Sequence, residues 1–148
     1  MFRHHVSNGT ELGKRVKAIM ESGGYVPDDI TVEILAQRLA EPDAQAGYIL
    51  DGFPRTGPQV EALDRLIGPE ALDRVVLFEV DEDALAARML SRGRADDTEE
   101  TIRNRFKIYE EQTAPLIEIY GDRGMVVTVD GIGEVDEVTT RVLEAVKS

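Results

Sequence analysis

The sequence predicts an α/β domain with a mostly parallel sheet, because short apolar runs alternate with amphipathic helices along the chain. The run from Val75 to Val80 lacks alternation of polar and apolar side chains, as is typical of a parallel strand covered on both faces. With 148 residues, 42% of them hydrophobic, the chain suits one globular domain with its own buried core.

The first third of the chain predicts two helices and one strand. Thr10 can cap the first helix, whose apolar periodicity stops at the glycine pair 23–24. A second helix is expected from position 28 or 29 until the chain reaches Pro42. Residues 47–50 form a short apolar run between turn-forming residues, and this pattern favours a buried strand.

The rest of the chain predicts four helices and two strands. Pro58 opens the third helix, and Asp81 can cap the fourth after the strand that ends at Val80. Asp97 and Glu100 have the spacing of a capping box, which predicts the start of a long fifth helix. The positions that carry these periodicities are Val60, Leu63, Leu66 and Ile67; Leu85 and Met89; Ile102, Phe106, Tyr109, Thr113 and Leu116; Met125 to Val129; and Val135, Val138, Val142 and Val146.

Charge and composition exclude several classes of protein. The net charge of −12 argues against a nucleic-acid-binding protein, since neutralising phosphates requires a surplus of Lys and Arg. No apolar run approaches the ~18 residues that a membrane span needs, and the chain has no cysteine, which fits a reducing compartment. We therefore expect a cytoplasmic protein with neither nucleic acid nor a membrane as partner.

The segment that leaves the predicted strand 47–50 is a first candidate site. Ligands of open α/β sheets bind outside the carboxyl ends of the strands. Asp51 followed by Gly52 can hold a water molecule or a metal-bound water, while Pro54 stiffens the loop that presents Arg55. The alternative interpretation is an ordinary strand-to-helix turn with a surface arginine.

The segment Ser91 to Asp97 is a second candidate. Residues two apart in an extended stretch point the same way, so Arg92 and Arg94 can aim two guanidinium groups at one anion. On the helix that follows, the 100° spacing per residue places Arg105 closer to the inward direction of Ile102 than Arg103. The alternative is a salt-bridged loop with solvated arginines.

Together these segments resemble the adenylate kinase family. The resemblance rests on Leu50-Asp51-Gly52-Phe53-Pro54-Arg55-Thr56 with Pro58-Gln59, on Gly93 to Asp97, and on Thr113-Ala114-Pro115-Leu116, in this order. The D-G-[FY]-P-R segment is characteristic of nucleoside monophosphate kinases, and the similarity runs from Met1 to Ser148. It implies reversible phosphoryl transfer from MgATP to AMP, giving two ADP.

The similarity begins inside the family pattern. A complete member opens with a strand and a glycine-rich loop ending in G-K, which wraps the ATP phosphates with backbone N–H groups. Here the sole Gly-Lys pair, Gly13-Lys14, lies within a helical pattern without preceding glycines. The resemblance thus implies a partial P-loop kinase fold that lacks its first two strands, including the central one, and an internal start or a truncation at Met1. The genomic DNA upstream is expected to encode the missing loop in frame.

The resemblance also assigns roles to residues. The proposed catalytic groups are Asp51, Arg55, Arg92, Arg94 and Arg105, with Asp51 ordering the water shell of Mg²⁺ rather than binding the metal directly. The implied AMP-binding residues are Arg3, Gly24, Tyr25, Val26, Gly52, Phe53, Pro54, Arg55, Gln59, Arg94 and Arg105, with Gln59 on the base. The implied ATP-binding residues are Arg88, Arg92 and Gly133.

The resemblance gives one domain, 1–148, with AMP-binding helices within 1–44 and a short lid at 92–97. The short lid has neither the length nor the cysteines of the zinc-binding form, so Mg²⁺ with ATP is the expected cofactor and zinc is not. A complete form is expected to be a monomer. The chain as printed is expected to be inactive or nearly so, because it lacks the loop that holds the ATP phosphates. Two alternatives stay open: a kinase for UMP or CMP, and a non-catalytic nucleotide-binding fragment.

Without its central strand, the sheet is expected to be a three-strand remnant interrupted at its middle. The gap between strand 47–50 and strand 75–80 would then stay open, be filled by another chain, or close by direct pairing of the two strands.

Overall fold

The computed structural model describes residues 6–21, 26–91 and 98–147 of the chain. Within these residues helices surround a small sheet, and the order of elements follows the alternation that the sequence predicts. The helices are α1 (Glu11–Glu21), α2 (Asp28–Leu39), α3 (Gly57–Ile67), α4 (Glu82–Ser91), α5 (Glu99–Ile108), α6 (Pro115–Asp122) and α7 (Val135–Ala145), with a 3₁₀ turn at Pro42–Ala46 and a π-helical turn at Tyr109–Thr113. The strands are β1 (Val75–Glu79) and β2 (Val126–Asp130).

Two predicted helix caps are confirmed. The Thr10 hydroxyl accepts a hydrogen bond from the Gly13 N–H at 2.9 Å, and the Asp81 carboxylate accepts one from the Ala84 N–H at 3.2 Å. Each bond satisfies one of the backbone N–H groups that the first turn of a helix leaves without a partner.

The predicted cap of the fifth helix is wrong by one residue. Thr98 caps α5 by accepting a hydrogen bond from the Thr101 N–H at 3.2 Å, whereas Asp97 lies outside the described residues. The predicted long helix is also divided, because the Ala114 N–H bonds to the Tyr109 carbonyl, five residues back, at 2.8 Å. Pro115 has no N–H to continue the ladder, so a new helix, α6, begins there.

The sheet of the described residues consists of β1 and β2, which pair in parallel from Val75 opposite Val126 to Glu79 opposite Asp130. The predicted strand at 47–50 is wrong. Of the three arrangements expected for the gap between this segment and β1, direct pairing does not occur among the described residues. Residues 47–50 are extended but unpaired, and the side chain of Ile49 is 94% exposed. An extended apolar segment becomes a strand only where a neighbouring strand accepts and donates its backbone hydrogen bonds.

Three apolar clusters form the core. The first joins α1 to α2 through Leu12, Val16 and Ile34. The second and third share α3, because Val60 packs with α6 and Met125 while Leu63 packs with α2 and the loop that follows residue 50. Helix α3 therefore fixes that loop against both halves of the domain. In the described parts of the chain, no helix is long and apolar enough to cross a membrane.

Candidate functional site

The loop between residue 50 and α3 contains a buried phenylalanine and, two residues later, an exposed arginine. Phe53 is buried in the third apolar cluster, whereas Arg55, two residues later, is exposed. The Arg55 Nε–H donates a hydrogen bond to the Gly52 carbonyl at 2.7 Å, so the side chain folds back over its own loop. A Cβ atom at Gly52 would lie 2.7 Å from an Arg55 terminal nitrogen, and Gly52 has a φ of +76°. A side chain at position 52 would displace the guanidinium.

Gln59, in the first turn of α3, holds the main chain of the same arginine. Its side chain is buried, with 4% of its surface exposed. Its Oε1 accepts a hydrogen bond from the Arg55 N–H at 2.7 Å, and its Nε2 donates one to the Asp28 carboxylate at 2.7 Å. The Thr56 hydroxyl caps α3 by accepting from the Gln59 N–H at 3.3 Å. The buried amide thus uses both of its ends to join α2 to the Arg55 loop.

The carbonyl of Arg55 is held by a second side chain. The Thr113 hydroxyl donates a hydrogen bond to it at 2.9 Å, although the two residues are 58 positions apart in the chain. Thr113 ends the π-helical turn that follows α5, and α5 carries Arg105. Arg105 is half-buried and Arg103 is exposed, which is the order that the helical spacing predicts.

The terminal nitrogens of Arg55 have no hydrogen-bond partner among the described residues. Guanidinium N–H groups pair with phosphate and carboxylate oxygens in a planar fork. The Arg55 guanidinium is exposed, and hydrogen bonds fix both the N–H and the carbonyl of its main chain. A guanidinium held in this way is chemically suited to hold an anion in one position. Asp51, at the start of the loop, is exposed and can accept hydrogen bonds from a hydrated cation.

The loop after β2 is a second ordered turn at a strand end. The Arg141 guanidinium, from α7, donates to the Asp130 carbonyl at 2.9 Å and to the Ile132 carbonyl at 2.6 Å. Gly133 has a φ of +127°, and the Glu137 carboxylate accepts a hydrogen bond from the Glu134 N–H at 3.2 Å as part of a capping box. Arg141 therefore fixes the backbone on both sides of this turn.

The other predicted site residues are placed more simply. Arg88 is exposed in the last turn of α4, and Val26 is half-buried against the first apolar cluster. Within residues 6–21, 26–91 and 98–147, no group of three His, Cys, Asp or Glu side chains is arranged to hold a metal ion. The predictions for Arg3, Gly24, Tyr25, Arg92 and Arg94 fall outside the described residues.

The contacts of Asp28 and Arg141 were not predicted from the sequence. Thr113 was identified as part of a motif, but its partner was not. Asp28 was considered as a helix start, yet its carboxylate touches a glutamine 31 residues away. The spacing of apolar residues along the chain carries no signal for such a distant polar pair.

Known proteins with similar sequences were found by two comparisons. The family model described as adenylate kinase matches residues 1–125. An adenylate kinase of Leifsonia xyli subsp. xyli is 50% identical over 151 residues, covering 98% of this chain and 76% of that protein. An adenylate kinase of a Nocardioides species is 52% identical, with 98% and 79% covered, and one of Thermobifida fusca is 47% identical, with 100% and 82% covered.

Proposed function

The chain belongs to the adenylate kinase family, and from that premise we propose that it serves the reversible transfer of a phosphoryl group from MgATP to AMP, giving two ADP. The family consists of phosphotransferases that act on nucleoside monophosphates. The proposed setting is the cytoplasm, with ATP and AMP as ligands and a monomer as the complete form.

The observation that carries the proposal is the fixed main chain of Arg55, whose exposed guanidinium lies over a loop of the family motif. Phosphoryl transfer passes through a loose transition state, so catalysis depends on alignment and on stabilising charge at the phosphoryl oxygens. We assign Arg55 and Arg105 to the AMP phosphate and the transferring group, together with Arg94. Helices α1 and α2, within 1–44, form the AMP side, and 92–97 forms the lid.

The remaining assignments follow the family motif. Arg3, Gly24, Tyr25, Val26, Gly52, Phe53, Pro54 and Gln59 are proposed to complete the AMP site, and Arg88, Arg92 and Gly133 the ATP site. Mg²⁺ bound to ATP supplies charge neutralisation at the phosphates. The exposed Asp51 carboxylate fits the water shell of such an ion, since carboxylate oxygens accept hydrogen bonds from metal-bound water.

We further propose that the 148-residue chain by itself is inactive or nearly so. Its sequence contains no glycine-rich loop ending in G-K to surround the ATP phosphates with backbone N–H groups. Removing one preorganised donor commonly costs ~10²-fold or more in rate, and a whole loop supplies several.

The test is titration calorimetry of the purified chain with AMP, together with an assay of ADP formation from ATP and AMP. Arg55→Lys should weaken AMP binding by about tenfold, because a lysine cannot donate two parallel hydrogen bonds to one phosphate. Arg65→Lys is the matched control, since Arg65 is exposed on α3 and, in the described part of the chain, forms an ion pair with Glu61 alone, at 3.7 Å. Equal losses at both positions would contradict the assignment of Arg55. Tighter binding of UMP or CMP would move the proposal to another nucleoside monophosphate, and ADP formation at a rate typical of kinases would refute the inactivity.

A further inference from the structure

Both main-chain polar groups of Arg55 are bonded to side chains of other elements. The Gln59 amide accepts from its N–H and the Thr113 hydroxyl donates to its carbonyl, at 2.7 and 2.9 Å. Polar groups of an exposed loop ordinarily bond to water. Where two side chains replace water, the backbone of the arginine can no longer move independently of the helices that supply them.

The Gln59 amide is itself oriented by Asp28. A carboxamide can flip by 180°, which exchanges its donor and its acceptor. The Asp28 carboxylate can only accept when ionised, so it binds the NH₂ end of the amide at 2.7 Å and turns the oxygen toward the Arg55 N–H. An asparagine at position 28 could bind either end of the amide and would remove this selection.

We propose that Asp28 and Thr113 are positioning residues that set where the Arg55 guanidinium points, an inference that rests on the proposed role of Arg55 in AMP binding. Asp28, through Gln59, connects Arg55 to α2, and Thr113 connects it to the π-helical turn after α5. Isolated π turns are frequent at functional sites. Because α5 carries Arg105, the Thr113 bond also relates the positions of two arginines proposed to bind the same phosphate.

A merely structural role makes a different prediction for stability. The hydrogen bond from Thr113 to Arg55 is exposed, and an exposed hydrogen bond largely replaces one to water. Removing the Thr113 hydroxyl should therefore change the melting temperature very little. The effect of a positioning role appears instead in the affinity for AMP.

The first experiment compares Thr113→Val, which keeps the shape of the side chain, with Thr113→Ser, which keeps its hydroxyl. AMP affinity measured by calorimetry should fall about fivefold in the valine variant and stay within about twofold of the parent in the serine variant. Thr128→Val is the control, since Thr128 is an exposed residue of β2. Unchanged affinity in Thr113→Val, or an equal loss in Thr113→Ser, would overturn the role of Thr113.

The second experiment tests the positioning role of Asp28 in the absence of nucleotide. In Asp28→Asn, hydrogen exchange of the Arg55 amide measured by NMR should accelerate by about tenfold, because its acceptor is no longer held in one orientation. Asp29→Asn is matched to it, since Asp29 also lies in the first turn of α2 but is exposed. Equal exchange in the parent and in Asp28→Asn would overturn the role of Asp28. If the parent chain binds no AMP, the proposed function fails while this measurement still decides whether Arg55 is held.

Discussion

Arg123 and Asp64 form a two-pronged ion pair that joins the end of α6 to α3. The two guanidinium nitrogens lie 2.9 and 2.6 Å from the two carboxylate oxygens, and the side chains are 26% and 23% exposed. The hydrogen bonds that the Arg123 guanidinium donates to Asp64 raise the pKa of Arg123. The guanidinium also lies 5.2 Å from the centre of the Tyr120 ring. The pair therefore closes one side of the second apolar cluster.

Asp64→Asn should lower the free energy of unfolding by about 1–2 kcal/mol. It leaves the half-buried Arg123 without a countercharge, and bidentate partly buried pairs contribute more than exposed ones. Urea unfolding of both proteins measures the difference. Glu61→Gln, on the same helix, removes a single exposed contact at 3.7 Å and should change stability very little. Equal effects at positions 61 and 64 would contradict the special contribution of the bidentate pair.

Tyr120→Phe should raise the free energy of unfolding by about 1 kcal/mol. The Tyr120 side chain is 3% exposed, and its hydroxyl has no hydrogen-bond partner among the described residues. An unsatisfied buried hydroxyl costs ~1–3 kcal/mol. The small void left by phenylalanine offsets part of the stability that is gained by removing this hydroxyl. Tyr109→Phe, at an exposed tyrosine, is the control. Destabilisation by Tyr120→Phe would indicate a hydrogen bond to this hydroxyl in solution.

The same tyrosine predicts how stability depends on alkaline pH. Burial, and then the charge of Asp64, raise the pKa of Tyr120 above its ordinary value of 10.0. A group with a raised pKa contributes stability that is fully present below the unfolded pKa and is lost as the pH rises through the folded pKa. Above pH 10 the parent should therefore lose stability more steeply than Tyr120→Phe. Parallel curves for the two proteins, measured by urea unfolding, would contradict the raised pKa.

The carboxylate of Asp43 predicts a loss of stability at low pH. The Arg38 guanidinium, through two hydrogen bonds at 2.9 and 2.7 Å, lowers the pKa of Asp43 below its ordinary value of 3.8. The stabilisation from this pair is present above pH 3.8 and is lost as the pH falls through the folded pKa. In an NMR titration, Arg38→Gln should move the Asp43 midpoint upward. No movement would show that the pair does not form in solution.

Gly133→Ala should destabilise the chain by about 1–3 kcal/mol. Position 133 has a φ of +127°, and an added Cβ would lie 2.6 Å from a Glu137 carboxylate oxygen. The alanine therefore adds backbone strain and displaces the acid that closes the cap of α7. Thermal unfolding is the measurement. Gly121→Ala is the control, because Gly121 is an exposed residue of α6 and, its chain neighbours and own helix backbone aside, no atom of the described residues lies within 4 Å of the added Cβ. The stability of this variant should be unchanged or slightly raised.

The sequence predicted those parts of the fold that depend on neighbouring residues. Helix caps such as Thr10 and Asp81 are local, and each lies three residues before the N–H group that it binds. The strand prediction at 47–50 was wrong because a segment forms a strand only beside a partner strand. The apolar pattern of the segment itself does not indicate whether such a partner exists. The helix start at 97–100 was misplaced because Thr98 is also a preferred N-cap residue, and its hydroxyl accepts a hydrogen bond from the Thr101 N–H.

The candidate site divides in the same way. The loop that presents Arg55 could be identified because its motif is contiguous. The residues that support the loop could not be identified. Asp28 contacts Gln59 across 31 residues and Thr113 contacts Arg55 across 58, and both contacts form only after α2, α3 and the π turn have packed. Polar contacts between distant residues depend on tertiary packing, which is also why Arg141 was missed.

The backbone groups of β1 point alternately toward β2 and toward the opposite edge of the sheet. The Val75 N–H donates to Met125 at 2.9 Å and the Glu79 carbonyl accepts from Gly131 at 2.9 Å, so odd-numbered residues direct their backbone groups toward β2. Alternation along a strand then points the N–H groups of Val76 and Phe78 to the opposite edge, where the described residues provide no paired strand.

Amide hydrogen exchange of the 148-residue chain should therefore alternate along β1. The N–H groups of Val76 and Phe78 should exchange at least about tenfold faster than those of Val75 and Leu77, because only the latter pair are bonded within the sheet. The bonded amides of the same strand are the internal control, since they share its sequence context and exposure to local opening. Equal protection of all four would mean that another strand, from this chain or from a second copy, covers the edge in solution. In that case the sheet has a third strand in solution. The same measurement at increasing dilution separates the two sources, because only protection by a second copy is lost as the protein concentration falls.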